Sequence, residues 1–166
     1  MLHISATGHR PPKLGGYAPC AKHRAIRRHM RDLLTKLKQE RGEITIYSGG
    51  ANGIDQFWME VGHYLKLPVV AILPFPGFWS LWPESGQKHL ASLLAKCSEV
   101  RYTHAVQLTD KPAAVQAMMD RDKDLVNACD LLVAYWNGTK GGTAHTVGFA
   151  NEAKKDILIF NPDEIK

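Results

Sequence analysis

Six short runs rich in apolar and β-branched residues alternate with longer stretches of helical periodicity. This alternation restricts the fold more than any other feature of the chain. The runs are 2–6 (Leu-His-Ile-Ser-Ala), 44–47 (Ile-Thr-Ile-Tyr), 69–73 (Val-Val-Ala-Ile-Leu), 99–102 (Glu-Val-Arg-Tyr), 131–135 (Leu-Leu-Val-Ala-Tyr) and 157–160 (Ile-Leu-Ile-Phe). The unbroken apolar character of 69–73 and 131–135 is that of strands buried on both faces. Between the runs, Ile26, Met30, Leu33, Leu34 and Leu37 predict a helix over 19–40. Ile54, Phe57, Trp58, Val61 and Leu65 share the face of a second helix, which must stop before Pro68. Further helices are expected over 85–97, over 113–128 after a break at 109–112, and from Gly141-Gly142 onward. Strands alternating with helices imply an α/β fold: a doubly wound, mainly parallel sheet with helices on both faces. The 166 residues suit one domain over 1–166, with no repeat, low-complexity stretch or linker.

Composition removes several classes of function. No apolar run approaches the roughly 20 residues that span a bilayer, so no membrane partner is expected. The N-terminus lacks a basic-then-apolar signal pattern. Cys20, Cys97 and Cys129 are odd in number and far apart, which suggests neither a disulfide framework nor a zinc knuckle and suits a reducing cytoplasm. The histidines, His63, His89, His104 and His145 among them, show no paired-ligand spacing. Neither a metal nor a cofactor is expected. The net charge of +5 is uneven: residues 10–41 hold 10 Lys/Arg against Asp32 and Glu40, and the remainder of the chain is net acidic.

In a doubly wound sheet, ligands sit beyond the carboxyl ends of the strands. Three such ends carry unusual loops: Thr7-Gly8-His9-Arg10-Pro11-Pro12-Lys13-Leu14-Gly15-Gly16, Ser48-Gly49-Gly50-Ala51-Asn52-Gly53-Ile54-Asp55, and Trp136-Asn137-Gly138-Thr139-Lys140-Gly141-Gly142-Thr143. Glycines let the backbone turn tightly and approach a ligand. The N–H groups and dipole of the helix that follows attract an anion. Ser48, Thr139 and Thr143 add hydroxyls, and Arg10, Lys13 and Lys140 add charge. A phosphate or carboxylate site is therefore expected, although neither standard nucleotide fingerprint is present. Glycine turns between strand and helix are also ordinary connections, and the case rests on three at one edge.

Thr7–Tyr17 (Thr-Gly-His-Arg-Pro-x-Lys-Leu-Gly-Gly-Tyr), Ser-Gly-Gly-Ala-x-Gly-x-Asp at 48–55, the Pro-Phe loop at 74–82 and Gly-x-x-Gly-Gly-Thr at 138–143 resemble the YpsA-like branch of the SLOG superfamily. That superfamily also contains the DNA-processing protein DprA and the Lonely Guy (LOG) enzymes. The resemblance runs in order over nearly the whole chain. It implies a Rossmann-like sheet that binds a nucleotide or nucleotide-derived ligand, with Thr7, Gly8, His9, Arg10, Ser48, Gly49, Gly50, Asn52, Gly53, Asp55, Arg121, Gly138, Gly141, Gly142 and Thr143 as candidate ligand-binding residues. It also implies a homodimer or higher homo-oligomer. In the Lonely Guy hydrolases and the similar deoxyribosyltransferases a catalytic glutamate follows the last glycine-threonine turn by three residues, where this chain has Thr146. A hydroxyl supplies no carboxylate charge to an oxocarbenium-like centre. The primary expectation is therefore binding of a small anionic nucleotide-like ligand, in a sensing or sequestering role.

Several alternatives stay open. N-glycosidic hydrolysis or transfer would need Asp55 or Glu84 to replace the missing glutamate. Asp55 can equally be a first-turn carboxylate complementing the helix dipole. Arg121 reads either as a phosphate contact or as half of a surface pair with Asp122. His9 either titrates near neutrality or bonds a backbone group. Phe78, Trp79 and Trp82 read as core, as a dimer contact, or as a stacking platform for a base. The basic helix, with Lys22, Arg24, Arg27, Arg28, Arg31, Lys36, Lys38 and Arg41, reads as a solvated face, as a nucleic-acid surface in distant likeness to DprA, or, in its N-terminal part, as a source of positive potential that draws an anionic ligand to the strand edge.

Overall fold

The computed structural model describes residues 1–166. The strands are β1 (Leu2–Gly8), β2 (Ile44–Ser48), β3 (Val69–Leu73), β4 (Glu99–Tyr102), β5 (Leu131–Tyr135) and β6 (Asp156–Phe160); the helices are α1 (Ala21–Arg41), α2 (Ile54–Tyr64), α3 (Glu84–Ala95), α4 (Lys111–Ala128) and α5 (Gly142–Glu152). Every strand pairing is parallel, in the order β4-β3-β2-β1-β5-β6. The result is an open, Rossmann-like doubly wound α/β sheet. The order reverses between β1 and β5, which is the switch point where ligands sit in such sheets. No helix is long and apolar enough to cross a membrane.

Side chains alternate across the sheet with a period of two. Leu2, Ile4 and Ala6 of β1, Val69, Ala71 and Leu73 of β3, and Leu131, Val133 and Tyr135 of β5 enter the main core, where they meet Ile26, Met30 and Leu34 of α1 and Phe57, Trp58 and Val61 of α2. The intervening residues face α4 and α5: Val70 and Ile72 pack with Leu125, and Leu132 packs with Val126 and Ala150. Ser5, buried on this second face, donates to the Leu125 carbonyl at 2.6 Å and ties β1 to α4. β2, β3 and β5 are buried along their whole length, as the unbroken apolar runs of β3 and β5 predict.

α1 turns its apolar stripe inward and leaves Arg24, Arg28, Arg31, Lys36, Lys38 and Arg41 on its outer side. Arg27 differs: its Nε donates to Glu60 at 2.6 Å and its guanidinium lies 4.1 Å from the centroid of the Phe57 ring, joining α1 to α2. Element boundaries shift modestly from the sequence expectation, and one shift has a clear cause. The 109–112 segment is not simply a break, because α4 starts at Lys111 with Pro112 in its first turn and Asp110 capping the N–H of Ala113 at 3.1 Å. Proline suits the first turn, where its missing N–H would have no helical partner.

Two glycines make opposite predictions about stability. Gly53 has φ +93°, and a Cβ there would lie 2.5 Å from the His9 carbonyl oxygen. Gly148 lies within α5, and a Cβ there would meet nothing within 4 Å. In urea unfolding, Gly53→Ala should lose at least ~2 kcal/mol through strain and overpacking. Gly148→Ala should gain about 0.5–1 kcal/mol through helix propensity.

Candidate functional site

The β1–β5 pairing sets Gly8 opposite Tyr135 and brings the loops after these strands side by side. They are stitched together by polar contacts. The His9 N–H donates to the Tyr135 carbonyl at 3.3 Å. The His9 Nε2 lies 2.8 Å from Asn137 Oδ1 and 3.0 Å from the Asn137 nitrogen. Thr139 donates its hydroxyl to Asn137 Oδ1 at 2.6 Å, and Lys13 Nζ donates to the Thr139 hydroxyl at 2.8 Å. Burial holds the His9 pKa below its ordinary value, against the raising influence of Asn137. His9 therefore acts as a neutral brace between two loops at pH 7.

A cleft of about 300 Å³ opens between these loops and the start of α2. Thr7, Gly8, Gly141, Gly142 and Thr143 supply its backbone-rich walls, Arg10, Lys13, Lys140 and Arg121 its cations, and Asp55 and Asp122 its carboxylates. Only one of its 15 lining residues is hydrophobic, which suits an anion better than an apolar ligand. Gly138 and Ser48 are not part of this lining, and neither is Asn52, which faces a neighbouring compartment. No group of three or more His, Cys, Asp or Glu residues is placed to hold a metal ion.

The two glycine turns, alike in sequence, differ in structure. α5 begins at an uncapped N-terminus: Gly141 has φ +143°, no side chain caps the helix, and Gly141 and Gly142 are exposed. Its first-turn N–H groups are unmet donors beside the cleft. α2 also lacks a side-chain cap, but the turn before it bonds its Gly50, Ala51 and Ile54 N–H groups within the protein. Ser48 donates its hydroxyl to the Asp55 carbonyl at 2.7 Å and accepts from the Gly50 N–H at 3.2 Å. Asp55 Oδ2 accepts from the Ala51 N–H at 3.2 Å, and the Ile54 N–H donates to the His9 carbonyl at 3.2 Å. Gly49 and Gly50 are buried inside this turn, and a Cβ on Gly49 would collide with Arg121 and Asp55.

Arg121 is only 4% exposed. Its Nε donates to Asp122 at 2.8 Å, and its Nη1 makes a short bond to the Gly49 carbonyl. Arg121 is thus buried at the cleft wall with Asp122 half-buried beside it, where a surface pair was one expectation. Of the two carboxylates considered for catalysis, Asp55 lines the cleft. Glu84 lies outside it, 83% exposed at the start of α3 and paired with Lys88 at 3.0 Å. Thr146 is fully buried and donates its hydroxyl to the Gly142 carbonyl at 3.0 Å, so it is spent on its own helix.

Burial pushes the Asp55 carboxyl up to about 6, opposed by the positive charge of Arg121. Since the folded-state pKa lies above the unfolded one, Asp55 favours folding at low pH, and this contribution fades as pH rises through 6. Unfolding free energies of the wild type, measured against Asp55→Asn between pH 4 and 7.5, should fall relative to the variant as pH rises, by up to ~3 kcal/mol. A pH-independent difference would mean that Asp55 does not titrate in this window.

Aromatic residues that sequence reasoning left undivided also separate here. Phe78 and Trp79 pack against the main core, and Phe78 also walls a second compartment with Trp82, Tyr17, Leu81 and Met118. Tyr17 and Met118 carried no individual signal, because their meeting depends on how the β1 loop lies against α4.

Solved structures share this fold at low identity. DprA from Streptococcus pneumoniae aligns with a TM-score of 0.68 and 14% identity, over 95% of this chain and 50% of its own. DprA from Helicobacter pylori, described by its single-stranded DNA binding mode, aligns at 0.66 and 17%, over 95% of this chain and 64% of its own. The molybdenum cofactor carrier protein of Chlamydomonas reinhardtii aligns at 0.55 and 14%, over 95% and 75%. The chain thus spans between half and two thirds of the two DprA chains. No curated protein matches it. The model of the YspA SLOG family (YpsA) matches residues 4–158, almost the entire sheet and all three glycine loops, and the chain belongs to that family.

Proposed function

We propose that the chain binds a small anionic, nucleotide-like ligand, with the ligand phosphate held between the β1 loop and the opening of α5. The observation that carries this reading is the uncapped N-terminus of α5, which shares one cleft with Arg10, Lys13 and Lys140. The helix supplies N–H donors and the positive end of its dipole. Arg10 supplies a planar fork suited to phosphate oxygens. Asp55 and Asp122 supply acceptors for ligand hydroxyls on the opposite wall. Two neighbours of this fold are described by what they hold, one by its single-stranded DNA binding mode and another as a cofactor carrier. Thr146 supports binding over cleavage, because a hydroxyl bonded within α5 stands where the resemblance to the Lonely Guy enzymes would put a catalytic carboxylate, and a sensing or sequestering role is consistent with that.

A second reading is N-glycosidic cleavage, and the observation favouring it is Asp55. A buried carboxyl lining the cleft with a pKa of about 6 is poised for general acid or base work near neutral pH.

Calorimetry with AMP, GMP, CMP and UMP tests the first reading. At least one should bind, and Arg10→Ala should weaken binding by roughly 10- to 100-fold, as expected for loss of a charge-assisted hydrogen bond. Absence of heat at millimolar nucleotide would sink the proposal. A preference for oligonucleotides over mononucleotides, with affinity falling steeply as salt rises, would instead favour a nucleic-acid partner. Chromatography of the same incubations addresses turnover: free base released by the wild type and lost in Asp55→Asn would support cleavage.

A further inference from the structure

We infer that the aromatic compartment beside the phosphate cleft is a nucleobase subsite, formed by Trp82, Phe78, Tyr17 and Met118 with Asn52 at its edge. The inference rests on the proposed phosphate site and extends it.

The compartment holds about 370 Å³, and six of its 10 lining residues are hydrophobic. It shares Arg10, Ala51 and Arg121 with the phosphate cleft. The two spaces therefore adjoin across a pair of guanidinium groups. Each alone is small for a complete ligand, but together they reach the middle of the usual range for small-molecule sites. One half is polar and cationic, the other apolar and aromatic. A nucleotide has that division: an anionic phosphate at one end and a flat π-system at the other.

The aromatic wall is held in place independently of any ligand. Phe78 meets Trp79 and Trp82 edge to face, with centroids 5.4 and 5.3 Å apart, and Phe78 and Trp79 pack on the main core. The Trp82 backbone is pinned on both sides. Its N–H donates to the Trp79 carbonyl at 2.9 Å, and its carbonyl accepts from Gln87 Nε2 at 2.9 Å. Tyr17 and Leu81 nevertheless remain 72% and 96% exposed. Trp82 itself stays half-buried and outside the core cluster, so the loop orders its indole without consuming it in the core.

The polar groups around the compartment select among flat apolar ligands. No carboxylate lines it. Half-buried Asn52 brings an amide with both donor and acceptor character, which can match the mixed edge of a base. Arg10 reaches Met118, with its Nη2 3.9 Å from the sulfur, so its guanidinium plane lies at the boundary and can face a ring as well as a phosphate. A purely aliphatic ligand would leave this amide and the Arg10 guanidinium without polar partners, whereas Arg121 keeps Asp122 and the Gly49 carbonyl.

The test is calorimetry on the full chain with two probes, ribose 5-phosphate and AMP, for wild type, Trp82→Ala, Trp82→Phe and Tyr17→Ala. In the wild type AMP should bind roughly 5- to 150-fold more tightly than ribose 5-phosphate, the range that stacking on aromatic side chains supplies. Trp82→Ala should remove most of that ratio and leave ribose 5-phosphate affinity unchanged, and Trp82→Phe should restore it. Tyr17→Ala, at an exposed position, should reduce the ratio without affecting the fold, and it decides the matter if Trp82→Ala unfolds. Equal affinities for the two probes in the wild type would overturn the base subsite while leaving the phosphate site standing. A ratio unchanged in Tyr17→Ala and in a folded Trp82→Ala would overturn it as well. Failure of both probes to bind would overturn the phosphate site and this inference together.

Discussion

Parallel pairing of β1 with β5 runs over five rungs, from Ile4 opposite Leu131 to Gly8 opposite Tyr135. The rest of the site depends on it. The chain leaves β1 toward β2 on one side and leaves β5 toward β6 on the other, so the loops at this junction diverge and leave a crevice. Residues 128 positions apart, His9 and Asn137, come within hydrogen-bond distance only because this register holds. A Cβ on Gly8 would overlap the Ile54 side chain, with 2.5 Å to its Cγ1. The start of α2 therefore sits directly on the end of β1, and Ile54, fully buried, closes the cleft floor onto the sheet core.

On that floor, two similar glycine turns take different tasks. The turn before α2 bonds its Gly50 and Ala51 N–H groups through Ser48 and Asp55 and carries a buried carboxylate that Arg121 partly offsets. The turn before α5 leaves its donors unmet beside three lysine and arginine side chains. Charge separates in the same way. Arg10 and Lys13 reach the cleft, Arg27 braces α1 against α2, and the outward arginines of α1 line a groove that shares no residue with the cleft. The basic excess of residues 10–41 is thus several local arrangements rather than one field directed at one partner.

Much of the fold was legible because periodicity reports burial. The runs at 69–73 and 131–135 could be unbrokenly apolar only with both faces covered, and their alternate residues do enter opposite cores. Boundaries were less legible where a residue has two uses, as Pro112 shows by entering the first turn of α4. At the site, residue type did not reveal direction. Asp55 and Glu84 were equal candidates as carboxylates; one faces the cleft and the other faces solvent beside Lys88. Arg121 and Asp122 read as a pair in either setting, and only packing against Gly49 buries it.

By itself the sequence determined the order and type of the elements, the parallel sheet and the three glycine loops at one edge, because these follow from local periodicity and from the backbone freedom of glycine. Tertiary structure decided which turn bonds its own N–H groups, which carboxylate lies in the cleft, and where Tyr17, Trp82 and Met118 meet beside Arg10. Those outcomes depend on strand order and on side-chain direction between residues far apart in the chain, as Tyr17 and Met118 are. No local pattern carries that information.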